Sequence, residues 1–209
     1  MIEQKLFIGE KYESGVMGKK LLVVGHQKHA SDEERNRYKT NPIQEYNIDT
    51  DNIEMMKEYI SGDCLEWKAS DRKSMLQFGR MLSGDMEFQL GTEKSKDLLN
   101  SFAFCNYLQV PDFNLVGRQG KDKDELYEFS ESIFWKYLND IMPDKIIVWG
   151  NHAYPYIAKL GERIDDRHCT ITIIEFNHKI DVLRINHPCI IGRGGYAQSI
   201  NEIREFLTT

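Results

Sequence analysis

LLVVGHQKH, residues 21–29, decides the fold. Leu21, Leu22, Val23 and Val24 form one unbroken apolar run. A strand covered by helices on both faces reads this way, whereas a strand with one wet face alternates. Gly25 ends the run, and a polar turn follows it, His26-Gln27-Lys28-His29. Three further segments repeat the design: SFAFCNYLQ (101–109) leaves Asn106 and Gln109 at the end of an apolar run, KIIVWGNH (145–152) ends in Gly150, Asn151 and His152, and LRINHPCIIG (183–192) ends in a turn that carries His187. In an open parallel sheet, ligands bind outside the carboxyl ends of the strands. The four strand ends are therefore expected to offer one polar cluster.

Between these runs the apolar spacing changes to that of helices. Ile53, Met56 and Tyr59 recur at three residues, and Met75, Phe78, Gly79 and Leu82 at one, three and four, with Asn41-Pro42, Gly62 and Gly84 as interruptions. This predicts two or three helices over 31–91, with an irregular loop at 39–51. Leu126, Phe129, Ile133, Phe134, Tyr137, Leu138 and Ile141 trace the clearest amphipathic helix, over 124–141, and Pro143 stops it. A short helix is expected over 153–160, ended by Gly161. Two β-branched strands, 170–176 and 179–185, flank Asn177-His178, and 200–207 reads as a closing helix. Such alternation predicts an α/β fold, a three-layer α/β/α sandwich with a mainly parallel central sheet, in a single domain over residues 1–209.

Bulk properties narrow the function. At 209 residues and 41% hydrophobic content the chain suits one ordinary core. The net charge of -6 weighs against general attraction to a phosphate backbone, so contact with nucleic acid would fall to a local basic patch. Arg118, Lys121 and Lys123, in a polar stretch over 111–123, are candidates for one. Cys64, Cys105, Cys169 and Cys189 are scattered, with no Cys-x-x-Cys pair, and read as reduced thiols without a zinc or iron–sulfur cofactor. His26, His29 and His152 place no two ligands on one element, so no metal is expected. The first residues lack the long apolar run of a signal peptide and no segment reaches membrane-spanning length, which predicts a cytoplasmic protein. Neither a Gly-x-Gly-x-x-Gly nor a Walker loop occurs, which ranks an enzyme of phosphorylated metabolites last.

Taken in order, the four strand ends resemble the motifs of the uracil-DNA glycosylase superfamily, across about residues 20–207. Gly25-His26-Gln27-Lys28-His29 lies where that family has a strand and a Gly-led turn that handles water. Ser101 to Val110 is similar to the strand ending in an Asn that reads the base edge, here Asn106. Pro143 to Ala153 is like the strand and turn after the long helix. Asn186-His187-Pro188-Cys189 resembles the family's His-Pro-Ser motif. The resemblance implies a uracil-DNA glycosylase-like fold, hydrolysis of an N-glycosidic bond in DNA repair, no cofactor, and single- or double-stranded DNA or a free nucleobase or nucleotide as partner. It implies catalytic roles for His187, Gln27 and His26, and base contacts from Asn106, His29, Gly25 and Asn151. In the family the loop after His-Pro-Ser enters the minor groove, which here implies Ile190 or Ile191 as the wedge and Arg193 on a phosphate.

The chemistry agrees with such a set. Breaking an N-glycosidic bond builds negative charge on the departing base, which a donor such as His187 would stabilise, while a second group handles water. The first motif departs from the family: different branches carry Asp, Glu or Asn to handle water, and this chain offers His26 and Gln27. Gln27 can orient a water but cannot become an anionic base. Cys189 replaces the usual Ser. A second reading follows, a catalytically silent module of the same fold that binds a nucleobase or nucleotide.

Overall fold

The computed structural model describes residues 6–26, 51–108, 122–190 and 195–209. The predicted apolar runs all form strands. Leu21–Gly25 (β2), Phe102–Asn106 (β3) and Lys145–Trp149 (β4) are buried along their whole length. They pair in parallel, β3 on one side of β2 and β4 on the other, and His178–Ile185 (β7) pairs in parallel with β4. Antiparallel strands complete the edges: Phe7–Ile8 (β1) beside β3, His168–Ile173 (β6) beside β7, and Glu162–Arg163 (β5) beside β6. The sheet has seven strands in the order β1-β3-β2-β4-β7-β6-β5. The parallel character expected from the sequence thus belongs to the four central strands, and antiparallel strands flank them on both sides.

Helices cover both faces. The chain leaves β2 for β3 through Asp51–Ser61 (α1), Ala69–Ser83 (α2) and Glu93–Leu99 (α3), then leaves β3 for β4 through Asp122–Ile141 (α4). The first crossover moves to one side of β2 and the second passes back to the other, so right-handed connections put them on opposite faces. On one face Met56, Phe78, Leu99 and Phe206 pack with Leu21, Val23, Phe104 and Trp149. On the other, Phe134, Leu138 and Ile157 pack with Leu22, Val24, Ala103 and Val148. Alternate residues of β2, β3 and β4 divide between the two cores, as the two-residue period of a strand requires. Tyr154–Ala158 (α5) lies on the α4 side, and the closing helix Tyr196–Thr208 (α6) on the α1–α2 side.

Several bounds differ from expectation. The segment 170–176 is strand only to Ile173; Ile174–Phe176 turns as a 3-10 helix that ends at Asn177, whose φ of 48° is left-handed. The closing helix begins at Tyr196, not residue 200. The irregular loop expected at 39–51 lies outside the described residues, save that Asp51 begins α1. No helix among the described residues is long and apolar enough to cross a membrane.

Candidate functional site

The order of the parallel strands creates a switch point. Connections leave β2 in one direction and reach β4 from the other, so the crevice at the carboxyl ends of β2 and β4 is where a doubly wound sheet admits a ligand. Gly25, Asn106, Gly150 and His187 all stand at this edge, at or just beyond the ends of β2, β3, β4 and β7.

The pleat then sorts them. Asn106 follows Phe102 and Phe104 at two-residue steps and faces the α1–α2 side, as does His187, two residues beyond Ile185. Asn106 is a buried polar residue, and its Nδ2 donates to Oδ1 of Asn52 in the first turn of α1, 2.9 Å away. Its own Oδ1 lies over Gly25: a Cβ placed there would stand 2.4 Å from that oxygen. Gly25 is therefore glycine because the Asn106 carboxamide needs the room. Phe104 and Trp149 continue the same face, with ring centroids 5.5 Å apart, and the Trp149 ring stands at 78° to that of His187, centroids 6.0 Å apart. A run of buried aromatic contacts thus leads from Phe104, beside Gly25, through Trp149 to the histidine.

His187 is held at Nδ1. Both the backbone N–H and the thiol of Cys189 approach its Nδ1, at 3.3 and 3.0 Å. A backbone amide can only donate, so Nδ1 is the acceptor and a neutral ring carries its proton on Nε2. The one-turn 3-10 helix Pro188–Ile190 fixes this geometry, closed by a 3.0 Å bond from the Ile190 amide to the His187 carbonyl. Gly150 beneath it has a left-handed φ of +78°, and a Cβ there would just touch Cβ of His187 at 3.4 Å. Trp149 is 5% exposed, and its indole N–H has no hydrogen-bond partner. Buried donors are seldom left unused, so this one marks the face as short of an acceptor.

His26 takes the opposite face. Its Nε2 shares a 2.8 Å hydrogen bond with the hydroxyl of Tyr127 on α4, and its ring centroid is 5.0 Å from that of His152. Tyr127 in turn stacks on Tyr156 of α5, at 3.6 Å and 17°. The single cluster expected from the sequence is thus divided by the pleat, with Asn106 and His187 on one side of the edge and His26 on the other. Asn151 is exposed, its Oδ1 accepting from Nη1 of Arg184. Ile190 is 72% exposed beside His187. Gln27, His29, Ile191 and Arg193 lie outside the described residues, as do Arg118 and Lys121.

The sequence reading missed Asn52, which opens a helix and so looks like a simple end signal, and Tyr127, which looks like core. Only the packing of α1 and α4 on opposite faces of the sheet brings them to Asn106 and His26. Among the described residues no three His, Cys, Asp or Glu side chains assemble as a metal site. No protein-family model matches the chain, and no curated protein matches it.

Proposed function

We propose that this chain is a uracil-DNA glycosylase-like protein that receives a nucleobase at the carboxyl edge of its sheet and hydrolyses the N-glycosidic bond of uracil or a damaged base in DNA. One observation carries the reading: Asn106 and His187, from strand ends 81 residues apart in the chain (187 minus 106), stand on one face of the sheet, the face on which Phe104 and Trp149 pack. A base brought to this end of the sheet can have its edge read by a carboxamide, which has both donors and acceptors, while the buried Phe104 and Trp149 rings keep the layer beneath packed. The Asn52 bond uses one donor of Asn106 and turns its amide group, so the side chain is held for recognition before a ligand arrives.

His187 supplies the chemistry. As the bond to the sugar breaks, a carbonyl oxygen of the base gathers negative charge, and a fixed neutral imidazole with its proton on Nε2 donates to it without first losing a proton elsewhere. Exposed Ile190 is the wedge toward the duplex, with Ile191 and Arg193 following it in the chain. Gln27 handles the water, and Gly25, His29 and Asn151 border the base, whereas His26, tied to Tyr127 on the opposite face, takes no part in this step. DNA, as a single strand or a duplex, is the partner, and no cofactor is required.

Purified protein incubated with uracil-containing single- and double-stranded DNA should release free base, and His187→Ala should lower the rate about 10²- to 10³-fold, the usual cost of losing one such donor. Release unchanged by His187→Ala removes the role given to that residue. Absence of both base release and any rise in melting temperature with nucleobases or oligonucleotides overturns the reading.

The missing carboxylate in Gly25-His26-Gln27-Lys28-His29 favours a second reading, a catalytically silent module that recognises a nucleobase or nucleotide. It predicts stabilisation by ligand of roughly 2.7 kcal/mol at a hundred times Kd with no turnover. Multiple-turnover base release excludes it.

A further inference from the structure

We propose that Cys189 is a reactive thiol, a site of covalent modification by hydrogen peroxide and by soft electrophiles, and that its modification disables His187. The chain's four cysteines are all free thiols, and three of them, Cys64, Cys105 and Cys169, are buried. Burial pushes the thiols of all three up, that of Cys169 to about 11, which keeps them protonated and unreactive. Cys189 alone is part-exposed, and its Sγ lies 3.0 Å from Nδ1 of His187. Because the Cys189 amide already fixes Nδ1 as an acceptor, the thiol hydrogen is directed at a base. A thiol paired with an imidazole in this way is the arrangement that activates cysteine as a nucleophile.

Trp149, whose ring packs against that of His187 with centroids 6.0 Å apart, carries a buried indole N–H that has no acceptor, so the layer against which His187 packs holds an unused donor.

The chemistry balances. The thiol proton passes to Nδ1, the sulfur attacks one oxygen of peroxide, the S–O bond forms as the O–O bond breaks, and hydroxide leaves with the proton as water. Cysteine is oxidised to the sulfenic acid and peroxide is reduced. An added thiol reverses the step, first displacing water to give a mixed disulfide and then, with a second thiol, restoring Cys189. With iodoacetamide the S–C bond forms, iodide leaves and the proton goes to solvent through the ring. Either product puts new atoms where the sulfur now sits 3.0 Å from the imidazole, so His187 loses its position.

The reactivity stands on geometry alone; its effect on base release rests on the function proposed above. Iodoacetamide labelling of the full folded chain, read peptide by peptide in a mass spectrometer, should label Cys189 at least tenfold faster than the other three cysteines. It should also label Cys189 faster in the folded chain than in urea, although folding covers most of it. His187→Gln should slow Cys189 about tenfold, with the rates of the buried three as the control for folding, and Cys189→Ser should show no fast phase. A Cys189 that reacts more slowly folded than unfolded overturns the proposal without any variant. So does a rate indifferent to His187→Gln in a chain whose other cysteines stay protected. Peroxide should abolish base release, or the nucleobase-induced melting shift, and dithiothreitol should restore it, with Cys189→Ser insensitive to both. Selective labelling in a protein that binds no nucleobase leaves the reactive thiol standing and rejects the function, whereas activity that survives full oxidation rejects the link between them.

Discussion

Gly25 has no side chain, and the carboxamide of Asn106 occupies the space one would need. A Cβ at 2.4 Å from Asn106 Oδ1 cannot coexist with the present rotamer, and the oxygen belongs to a buried side chain tied to Asn52, so it has little freedom to yield. Gly25→Ala should therefore displace Asn106 and strain or break a buried hydrogen bond. Overpacking and a lost buried partner each cost roughly 1–3 kcal/mol, and because the same displacement causes both, about 2 kcal/mol in urea unfolding is expected. Nucleobase binding should weaken together with stability. An alanine variant with unchanged midpoint and unchanged binding would contradict the tight contact. Part of this was legible beforehand: a strand that runs into glycine and then polar residues marks the end of a sheet. The partner was not, because Asn106 lies 81 residues away (106 minus 25) and only the parallel register Gly25↔Asn106 brings the two together.

At the level of elements, β4 carries a lysine that a reading of apolar runs leaves out. Ile146 to Trp149 is the legible strand, yet the element starts at Lys145, whose side chain is 3% exposed. Register explains its burial: Lys145 pairs with Asp181 of β7, its Nζ lies 2.7 Å from Asp181 Oδ2, and the Phe206 ring of α6 lies 4.9 Å beneath the ammonium. Removing the acid strands a buried charge, whereas removing the charge leaves an apolar stem in place. Asp181→Ala should cost about 2–3 kcal/mol, toned down from the fully buried case because Asp181 is half-exposed, and Lys145→Met under about 1.5 kcal/mol. Equal losses in urea titrations of the two variants would reject this account. The elements missed by the sequence reading share a physical cause. Two-residue strands, β1 and β5, show no period at all. The seven-residue α3 is capped by Thr92 and Ser95, where a box signature leads one to look for Glu or Gln at the second position. By contrast α4 was readable because it carries its apolar face through 20 residues.

For the molecule as a whole, two cores separated by one sheet explain both what the strand ends predicted and where the prediction divided. Polar residues do gather at one edge, but consecutive residues point to opposite layers, so Gly25 adjoins Asn106 while His26, one step on, meets Tyr127. The same layering buries many phenols and thiols. Burial raises Tyr12, Tyr59, Tyr107 and Cys105, pushes Tyr154 up to about 12 and pushes Cys169 up to about 11. In the unfolded chain such groups ionise near their ordinary values, 9.0 for cysteine and 10.0 for tyrosine. Above pH 9, then, the unfolded state sheds protons that the folded state keeps, and unfolding gains free energy with each further step in pH. Stability from this source is complete below pH 9 and drains away as pH climbs through the raised values. The urea midpoint should be flat from pH 7 to about 8.5 and fall continuously from pH 9 to 11. Tyr154→Phe should lessen the fall between pH 10 and 12, since it removes a phenol that only the unfolded chain can ionise there. A midpoint that holds constant to pH 11 would mean that these rings and thiols reach solvent in the folded state, and the two-core packing would then be wrong.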